Sequence, residues 1–353
     1  MKVIDTPKHR LVRSESYNYN FDKSTGYFQR WGKTIDDDPS FAPYPEILDI
    51  EITTICAGVP QLDGIRRPCS FCYKANSTKG KNMSFDTFKQ IVDNMTFTDG
   101  RPCLLQVAFG GDSQATSNPD LLQMMHYLRN KGIIPNITVA DLDDNMAKQL
   151  AAVVGGIAVS RYVDKNVCYD TVKRLVDNGL KQVNIHQLVS EQTEYQVYET
   201  INDRLTDSRL SKLNAIVLLS LKQVGRGITH RPLDHEKFQA IVNYALSKGV
   251  GIGFDSCSAF KFLKAVRTHK DFEKFNTLAE PCEATCFSSY IDVEGNYYPC
   301  SFAEQVEKPI SALDGNFIHV WNSEQVKNFR NRLMDTTTKN DLKCRTCPLF
   351  DNV

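Results

Sequence analysis

Three cysteines within the first 72 residues of the chain have the spacing of a metal site. Cys56 directly follows a short β-rich run, and Cys69 and Cys72 form a Cys-x2-Cys pair after the twelve intervening residues 57–68. Three thiolates at the carboxyl end of a strand can bind three irons of a 4Fe–4S cluster and leave the fourth iron open. Zinc sites and redox pairs also use Cys-x2-Cys, so a cluster, a zinc ion and incidental cysteines all remain open on these residues alone.

A glycine-rich turn ends the next β-rich run. Phe109 is followed by Gly110, Gly111 and Asp112, and a helical stretch begins soon after. Glycines let a ligand approach the backbone closely, and a carboxylate can accept hydrogen bonds from a ligand ammonium group. An ordinary strand-to-helix turn would use the same residues, and it is the simpler interpretation of the glycines by themselves.

Four cysteines near the end of the chain have the composition of a second metal site. They are Cys282, Cys300, Cys344 and Cys347, and the last two again form a Cys-x2-Cys pair. Four thiolates are the complement of one closed 4Fe–4S cluster, in which every iron has a protein ligand. A structural zinc ion suits the same four residues, so both metals remain open here.

The remaining cysteines do not suggest a disulfide framework. The chain has eleven cysteines, an odd number that cannot all pair, and it has no run of 18 apolar residues and no signal-peptide core. We therefore expect a cytoplasmic protein whose clustered thiols bind metal or take part in catalysis. Cys257 and Cys286 are alternate ligands for the second site, whereas Cys103 and Cys168 are interpreted as ordinary buried thiols.

Short β-rich runs alternate with helical stretches in the middle of the chain, which predicts βαβ units and a parallel sheet. The predicted strands are Leu48–Ile52, Leu104–Phe109, Ile137–Ala140, Gly156–Ser160, Val183–Val189, Ala215–Leu221 and Gly251–Phe254. The predicted helices are Phe85–Met95, a helix from Asn118 to Gly132, Asp143–Val153, Tyr169–Asn178 and His235–Lys248. About six such repeats suit either a partial barrel or a doubly wound sheet, and periodicity does not separate the two.

The flanking regions differ from this pattern. Residues 1–45 are polar and aromatic without a helical period, and their prolines predict an extended arm that acts as a lid or packing strap. After Asp255 cysteines become dense, and a hairpin is predicted to turn at Glu294-Gly295-Asn296. We therefore divide the chain into the arm, a core over 46–255 and a cysteine-rich domain over 256–353.

Together these motifs resemble those of radical S-adenosylmethionine (SAM) enzymes. The resemblance rests on a first strand that ends in a cysteine trio with an aromatic residue before the last cysteine, and on Gly-Gly-acidic after the second strand. It implies that Cys56, Cys69 and Cys72 hold a 4Fe–4S cluster whose open iron is chelated by SAM. It also implies that Gly110, Gly111 and Asp112 hold the SAM amine and that Phe71 packs near the adenine.

Positions after later strands agree with this resemblance. Ser160 and Arg161 could reach the SAM carboxylate or ribose, because arginine suits bidentate carboxylate contacts. Several residues on or after the later strands are expected to face the same end of the predicted barrel: Asn184, His186, Lys222 and Gly225-Arg226-Gly227. A structural role explains each of them equally well. For His186 a buried core histidine is the simpler interpretation.

Two features depart from the family pattern. The first two cysteines are separated by twelve residues instead of three, and lengthening a loop in this way costs only about 1.2 kcal/mol in closure entropy. The insertion is therefore predicted to be a surface excursion that returns to the same geometry. Asp112 stands where the family has glutamate, so its contact with the amine is expected to be less direct or bridged by water.

The second cysteine group resembles the SPASM/twitch extensions of radical SAM enzymes. Gly295-x4-Cys300 on a hairpin and the late Cys344-x2-Cys347-Pro348 carry this resemblance. It implies one auxiliary 4Fe–4S cluster held by Cys282, Cys300, Cys344 and Cys347. The fold implied for the whole chain is α/β, a partial (β/α)6 TIM-like barrel with a small C-terminal cysteine-rich hairpin-plus-helix module.

The resemblance also implies the function. The chain is expected to cleave SAM reductively to a 5′-deoxyadenosyl radical that abstracts hydrogen from a peptide, protein or small-molecule substrate, with flavodoxin or ferredoxin as electron donor. Lys+Arg and Asp+Glu number 42 each, so no overall charge favours binding of nucleic acid or a membrane surface. The alternative is a zinc-stabilised α/β binding protein without catalysis.

Overall fold

The chain opens with a small antiparallel sheet. In the computed structural model, which describes residues 1–24, 26–110, 114–335 and 345–350, its strands are β1 (Lys2–Asp5), β2 (His9–Arg13), β3 (Asn18–Asp22) and β4 (Phe28–Trp31). The structure differs here from the expected extended arm, because strands of four or five residues with alternating buried side chains pair into a sheet. The prolines that suggested the arm at positions 39, 43 and 45 all follow this sheet.

The sheet is anchored to the rest of the protein by buried polar contacts. Arg10 is fully buried and donates to the carbonyl oxygen of Leu104 at 2.7 Å. Arg30 donates to the buried carboxylate of Glu46 at 2.9 Å, and the same carboxylate accepts a hydrogen bond from the Tyr17 hydroxyl. Because buried charges are stable only when they are paired, these contacts fix the sheet against the start of the main fold.

The main fold is a parallel sheet whose strands alternate with helices. The strands that follow β4 are β5 (Ile47–Ile50), β6 (Val59–Pro60), β7 (Arg66–Arg67), β8 (Gln106–Phe109), β9 (Ile134–Val139), β10 (Gly156–Ser160), β11 (Val183–Val189), β12 (Ala215–Ser220) and β13 (Ile252–Phe254). The helices among them are α1 (Phe85–Asn94), α2 (Leu121–Asn130), α3 (Asp144–Val153), α4 (Lys165–Asp177), α5 (Glu194–Thr206) and α6 (His235–Ser247). Short 3-10 helices occupy Ala115–Ser117, Ser208–Leu210 and Gly225–Thr229.

The strand order separates the two folds that periodicity left open. Apart from the β6–β7 hairpin, the strands run β5-β8-β9-β10-β11-β12-β13 across the sheet in chain order, and all neighbours are parallel. A doubly wound sheet reverses its strand order at a switch point, whereas a barrel does not. The predicted α/β class and partial (β/α)6 barrel are therefore confirmed.

The C-terminal region continues this sheet. A 3-10 helix (Ser256–Ser258) follows β13, and the later elements are α7 (Ala259–Ala265), α8 (Phe272–Leu278), β14 (Ser288–Ile291), β15 (Asn296–Tyr298), a 3-10 helix (Ala303–Gln305), β16 (Ile310–Ser311), α9 (Ile318–Trp321) and α10 (Glu324–Met334). β14 pairs in parallel with β5, and β15 and β16 follow it as antiparallel neighbours. The C-terminal strands thus lie against the first barrel strand, although the division of the chain at 46 and 256 remains a prediction. No helix in the described part of the chain is long and apolar enough to cross a membrane.

Candidate functional site

The first cysteine group lies in the long connection between β5 and α1. The amide of Cys56 donates to the carbonyl oxygen of Ser77 at 2.8 Å, and the amide of Cys72 donates to that of Cys69 at 3.4 Å. The second bond closes a tight turn within the Cys-x2-Cys pair. All three cysteines line one cavity of about 110 Å³, so the structure brings the predicted trio together.

The electrostatics of this cavity suit a metal cluster. Burial and the neighbouring thiolates of Cys72 and Cys56 raise the pKa of Cys69 to about 12. A thiolate is therefore costly here unless a cation offsets its charge, and iron ions supply that charge in a 4Fe–4S cluster. The donor set of three thiols around one cavity fits a cluster with one open iron.

The 3-10 helix after β12 makes hydrogen bonds to the loop that carries Cys69 and Cys72. Arg226, in the 3-10 helix after β12, donates from Nε to the carbonyl oxygen of Cys69 at 2.9 Å. Its own amide donates to the carbonyl oxygen of Cys72, also at 2.9 Å. Gly225 has φ +58°, and a Cβ atom there would lie 2.2 Å from the carbonyl oxygen of Tyr73. The glycine is therefore required by both its conformation and its close contact.

The insertion between the first two cysteines is the β6–β7 hairpin. Gln114 accepts from the amide of Ala57 at 2.7 Å and donates to the carbonyl oxygen of Gly58 at 3.1 Å. Arg66 forms two hydrogen bonds of 2.9 Å with Asp141, which follows β9. Val59 is 4% exposed and lines the cysteine cavity. The insertion therefore forms part of the cavity wall, and its return to the family's geometry stays a prediction.

A larger cavity of about 390 Å³ lies at the carboxyl ends of the barrel strands. The predicted site residues Phe71, Gly110, Ser160 and Arg161 line it. Phe71 and Ser160 also line the cysteine cavity, so the two cavities share a wall. This is the end of a barrel at which ligands are bound in enzymes of this architecture. Gly111 and Asp112 lie outside the described residues.

Arg161 lines the larger cavity, and its guanidinium also has partners within the protein. Its Nη2 donates to the carboxylate of Glu199 on α5 at 2.7 Å, and its Nη1 donates to the carbonyl oxygen of Val163 at 3.2 Å. Its Nε is buried without a hydrogen-bond partner among the described residues. A contact between this guanidinium and SAM stays a prediction.

Tyr162 lines both cavities, although it was not among the residues predicted for the site. Its ring stacks on Phe71 with the centroids 5.9 Å apart, and its hydroxyl lies close enough to the Cys69 thiol and the Ser160 side chain for both to affect its pKa. Burial and the nearby Cys69 raise its pKa well above the usual value, so the phenol is a neutral hydrogen-bond donor. Its position directly after Ser160-Arg161, at the end of a barrel strand, is the signal that could have found it.

Lys222 and Asp255 line the larger cavity and form an ion pair there. The Nζ of Lys222 contacts the carboxylate of Asp255, which also accepts from the amide of Ser220 at 3.3 Å and from the Ser258 hydroxyl. Burial lowers the pKa of Lys222, but the negative charges of Asp255 and nearby thiolates raise it more. Lys222 is therefore a fixed positive charge between the cavity and the second cysteine group.

The structure also brings the second cysteine group together. The thiol of Cys282 lies close enough to that of Cys257 for each to affect the pKa of the other, and both residues line a small cavity with Cys347. Burial raises the pKa of Cys300 to about 12, with the charges of Cys257 and Cys347 adding to the effect. Four thiols thus approach one another here, while the predicted ligand Cys344 lies outside the described residues.

The other cysteines stand apart from both groups. Cys286 is fully buried, and the charged groups that affect its pKa most are Arg345, Arg330 and Glu283. Cys103 and Cys168 are buried as predicted. The ten cysteines in the described part of the chain are all free thiols. Within that part no three histidine, cysteine, aspartate or glutamate side chains are arranged to hold a metal ion. In a 4Fe–4S cluster each thiolate binds a different iron, so its ligands surround a cluster and do not converge on a point.

Comparisons with known proteins address both parts of the chain. Residues 282–348 match the SPASM family, described as an iron–sulfur cluster-binding domain. The structure of Streptococcus suis SuiB bound to the precursor peptide SuiA has a TM-score of 0.69 at 12% identity, with 93% of this chain and 90% of that chain covered. SuiB bound to S-adenosylmethionine has a TM-score of 0.59 at 15% identity, with 81% and 66% covered. No curated protein matches the sequence.

These findings confirm the predicted architecture. The likeness to SuiB is one of fold, because the sequences share so few residues. The SPASM match covers Cys282, Cys300, Cys344 and Cys347, which confirms an iron–sulfur cluster-binding domain at the end of the chain and leaves its ligands as a prediction. The chain thus has the barrel-plus-SPASM architecture expected from its resemblance to radical SAM enzymes, with the SPASM iron–sulfur domain at residues 282–348.

Proposed function

We propose that this protein is a radical SAM enzyme that modifies a peptide. The observation that carries the proposal is the cavity lined by Cys56, Cys69 and Cys72, which shares its wall with the larger cavity at the carboxyl end of the barrel. When bound, a 4Fe–4S cluster with one open iron would supply the electron that cleaves SAM to methionine and a 5′-deoxyadenosyl radical, which then abstracts hydrogen from the substrate. In the cell a flavodoxin or ferredoxin would supply that electron.

The residues around the two cavities would bind and orient SAM. Phe71, held by its stacking on Tyr162, offers an aromatic face for the adenine. Gly110 has φ +77° and lines the larger cavity, where a backbone without a side chain allows close approach. Gly111 and Asp112 are proposed to hold the amine, and Ser160 the carboxylate or ribose. The apolar side chains Leu188, Leu219 and Leu221 form much of the remaining wall and would exclude water.

A peptide is favoured as the substrate because SuiB, which shares the fold over most of both chains, has been seen with a precursor peptide. The lining of the larger cavity also includes Tyr290, Ser301 and Phe302 from the C-terminal region. The aromatic rings would pack against apolar side chains, and the Lys222–Asp255 pair would meet a polar or charged group. A small molecule oxidised in the same cavity is the second choice.

The test is an anaerobic SAM-cleavage assay. Protein reconstituted with iron and sulfide, then reduced with dithionite, should convert SAM to 5′-deoxyadenosine, and the triple variant Cys56→Ala/Cys69→Ala/Cys72→Ala should not. A short peptide encoded next to this gene should lose hydrogen in the same reaction, measured as a mass shift. If the wild type forms no 5′-deoxyadenosine while it carries both clusters, the proposal fails.

The non-catalytic alternative predicts a different metal. A zinc-stabilised binding protein would be isolated colourless with zinc and would stay colourless after reconstitution, whereas iron–sulfur clusters give a brown protein with broad visible absorbance. The SPASM match supports iron–sulfur binding by the C-terminal domain and disfavours this alternative.

A further inference from the structure

A cysteine that follows the last strand of the barrel, Cys257, lies beside the cysteines of the iron–sulfur domain. Cys257 lies in the 3-10 helix Ser256–Ser258 directly after β13, 25 positions before the SPASM match begins at residue 282. We propose that Cys257 is a ligand of the auxiliary iron–sulfur cluster, so that the cluster joins the SPASM domain to the barrel. The proposal concerns the iron–sulfur domain and does not depend on SAM cleavage.

The barrel fixes the position of Cys257. The carboxylate of Asp255 accepts from the amide of Ser220 on β12, and the Ser258 hydroxyl contacts that of Ser220 at 2.7 Å. The amide of Ser258 donates to the carbonyl oxygen of Asp255 at 2.7 Å, which closes the turn around Cys257. Because these bonds connect the turn to β12, and the chain connects it directly to β13, the thiol is preorganised before any metal binds.

Cysteines of the SPASM domain lie close to the Cys257 thiol. Cys257, Cys282 and Cys347 line one small cavity together with Pro281 and Arg345. Cys300, at the end of the β14–β15 hairpin, is close enough for its charge to affect Cys282 and to be affected by Cys257 and Cys347. On cluster binding, the thiols of Cys257 and Cys282 would each lose a proton, and each sulfur would form one bond to iron.

Two cations stand beside this group. Lys222 lies near Cys257 and Cys282, and Arg345 donates to the carbonyl oxygen of Cys282. A 4Fe–4S cluster with four thiolates carries net negative charge, because the four thiolate charges exceed the charge of the iron–sulfide core. Fixed positive charges next to it therefore reduce the cost of burying it.

The competing ligand is Cys344, which lies in the SPASM match but outside the described residues. Five thiols are then available for four irons. Cys257 differs from Cys344 because it comes from the barrel, so a cluster that uses it would make the barrel and the SPASM domain one cooperative unit. This difference makes the two assignments distinguishable by experiment.

Iron counting on a background without the first cluster tests the assignment. In the triple variant Cys56→Ala/Cys69→Ala/Cys72→Ala, reconstituted protein should hold about four irons per chain in the auxiliary cluster. Adding Cys257→Ala should remove at least one of these irons, with a change in the electron paramagnetic resonance spectrum of the reduced cluster. Adding Cys286→Ala, a buried thiol that stands apart, should leave both unchanged. Full iron and an unchanged spectrum in the Cys257→Ala variant would overturn the proposal.

Alkylation of the unmutated protein gives a second measurement that does not depend on the folding of a variant. Iodoacetamide should modify Cys257 only after a chelator has removed the clusters, because a thiolate bound to iron is not free to react. Peptide mass spectrometry reads the modification at Cys257 and Cys286 separately. Modification of Cys257 while the protein keeps all its iron would show that this thiol is not a ligand. Neither measurement involves SAM, so failure here is separate from failure of the proposed function.

Discussion

Arg66 and Asp141 form a bidentate ion pair with both hydrogen bonds at 2.9 Å, and this pair fastens the β6–β7 hairpin to the loop after β9. The two hydrogen bonds that Arg66 donates to Asp141 raise the pKa of Arg66, and the charge of Cys56 adds to this effect, so the guanidinium lies near the cluster site. The hairpin therefore has a fixed place beside the cavity, although it is an insertion relative to the family pattern.

Removing this ion pair should loosen the hairpin locally. The two side chains are 35% and 31% exposed, so we expect Asp141→Ala to cost no more than about 1 kcal/mol. Amide hydrogen exchange in residues 57–68 should then become about two- to five-fold faster, while the unfolding midpoint changes little. Asp63→Ala is the matched control, because the Arg67–Asp63 pair lies within the insertion itself. Equal exchange rates in the two variants would show that the link to Asp141 does not hold the insertion.

Gly225 should be essential to the shape of the first cysteine site. In Gly225→Ala the new Cβ would lie 2.2 Å from the carbonyl oxygen of Tyr73, so the cluster loop has to move. Gly249→Ala is a matched control, since Gly249 also has positive φ, +66°, but nothing lies within 4 Å of its Cβ position. The control should lose about 1–2 kcal/mol from the backbone conformation alone. Gly225→Ala should lose more and also bind less iron at the first site, as measured by iron content. Normal iron content in Gly225→Ala would contradict this role.

Each cysteine of the first group should be required for one cluster. Cys56→Ala, Cys69→Ala and Cys72→Ala should each lower the iron content by about four atoms per chain, because two thiolates do not retain a cluster that needs three. The same variants should form no 5′-deoxyadenosine, while the auxiliary cluster stays. Cys103→Ala, which removes a buried thiol outside both groups, should keep both clusters. Normal SAM cleavage in any of the three variants would exclude that residue from the site.

The strands and the cysteine trio could be predicted because their signals are local. In Val183–Val189, for example, fully buried side chains alternate with half-buried ones, which is the period of two that predicts a strand. Helix α5 was missed, because Glu194–Thr206 contains many polar and aromatic residues and buries only four side chains. The N-terminal sheet was missed because strands as short as Phe28–Trp31 show too few alternations to be recognised.

The meeting of Cys257 with Cys282 and Cys347 could not be predicted from spacing. It depends on how the end of β13 packs against segments that follow it by 25 and 90 positions, and this is decided by tertiary contacts. The hydrogen bond from Arg161 to Glu199 is likewise decided by tertiary contacts. Glu199 lies on α5, the helix that the sequence did not predict, so the competing ion pair was not visible.

His186 should make the stability of the protein depend on pH. It lines both the 390 Å³ cavity and a second cavity towards the amino ends of β9 and β10, and burial lowers its pKa from 6.5 to about 4, with the charge of Asp255 opposing the shift. The unfolded chain therefore binds a proton at this side chain as the pH falls below 6.5, whereas the folded protein does not until about pH 4. Stability is retained above pH 6.5 and lost between these values, by about 2 kcal/mol at pH 5. Urea unfolding at pH 7.5 and pH 5.0 should show that His186→Asn removes this part of the loss, while His126→Asn, at an exposed position on α2, does not. An equal loss in wild type and His186→Asn would show that His186 is protonated in the folded protein.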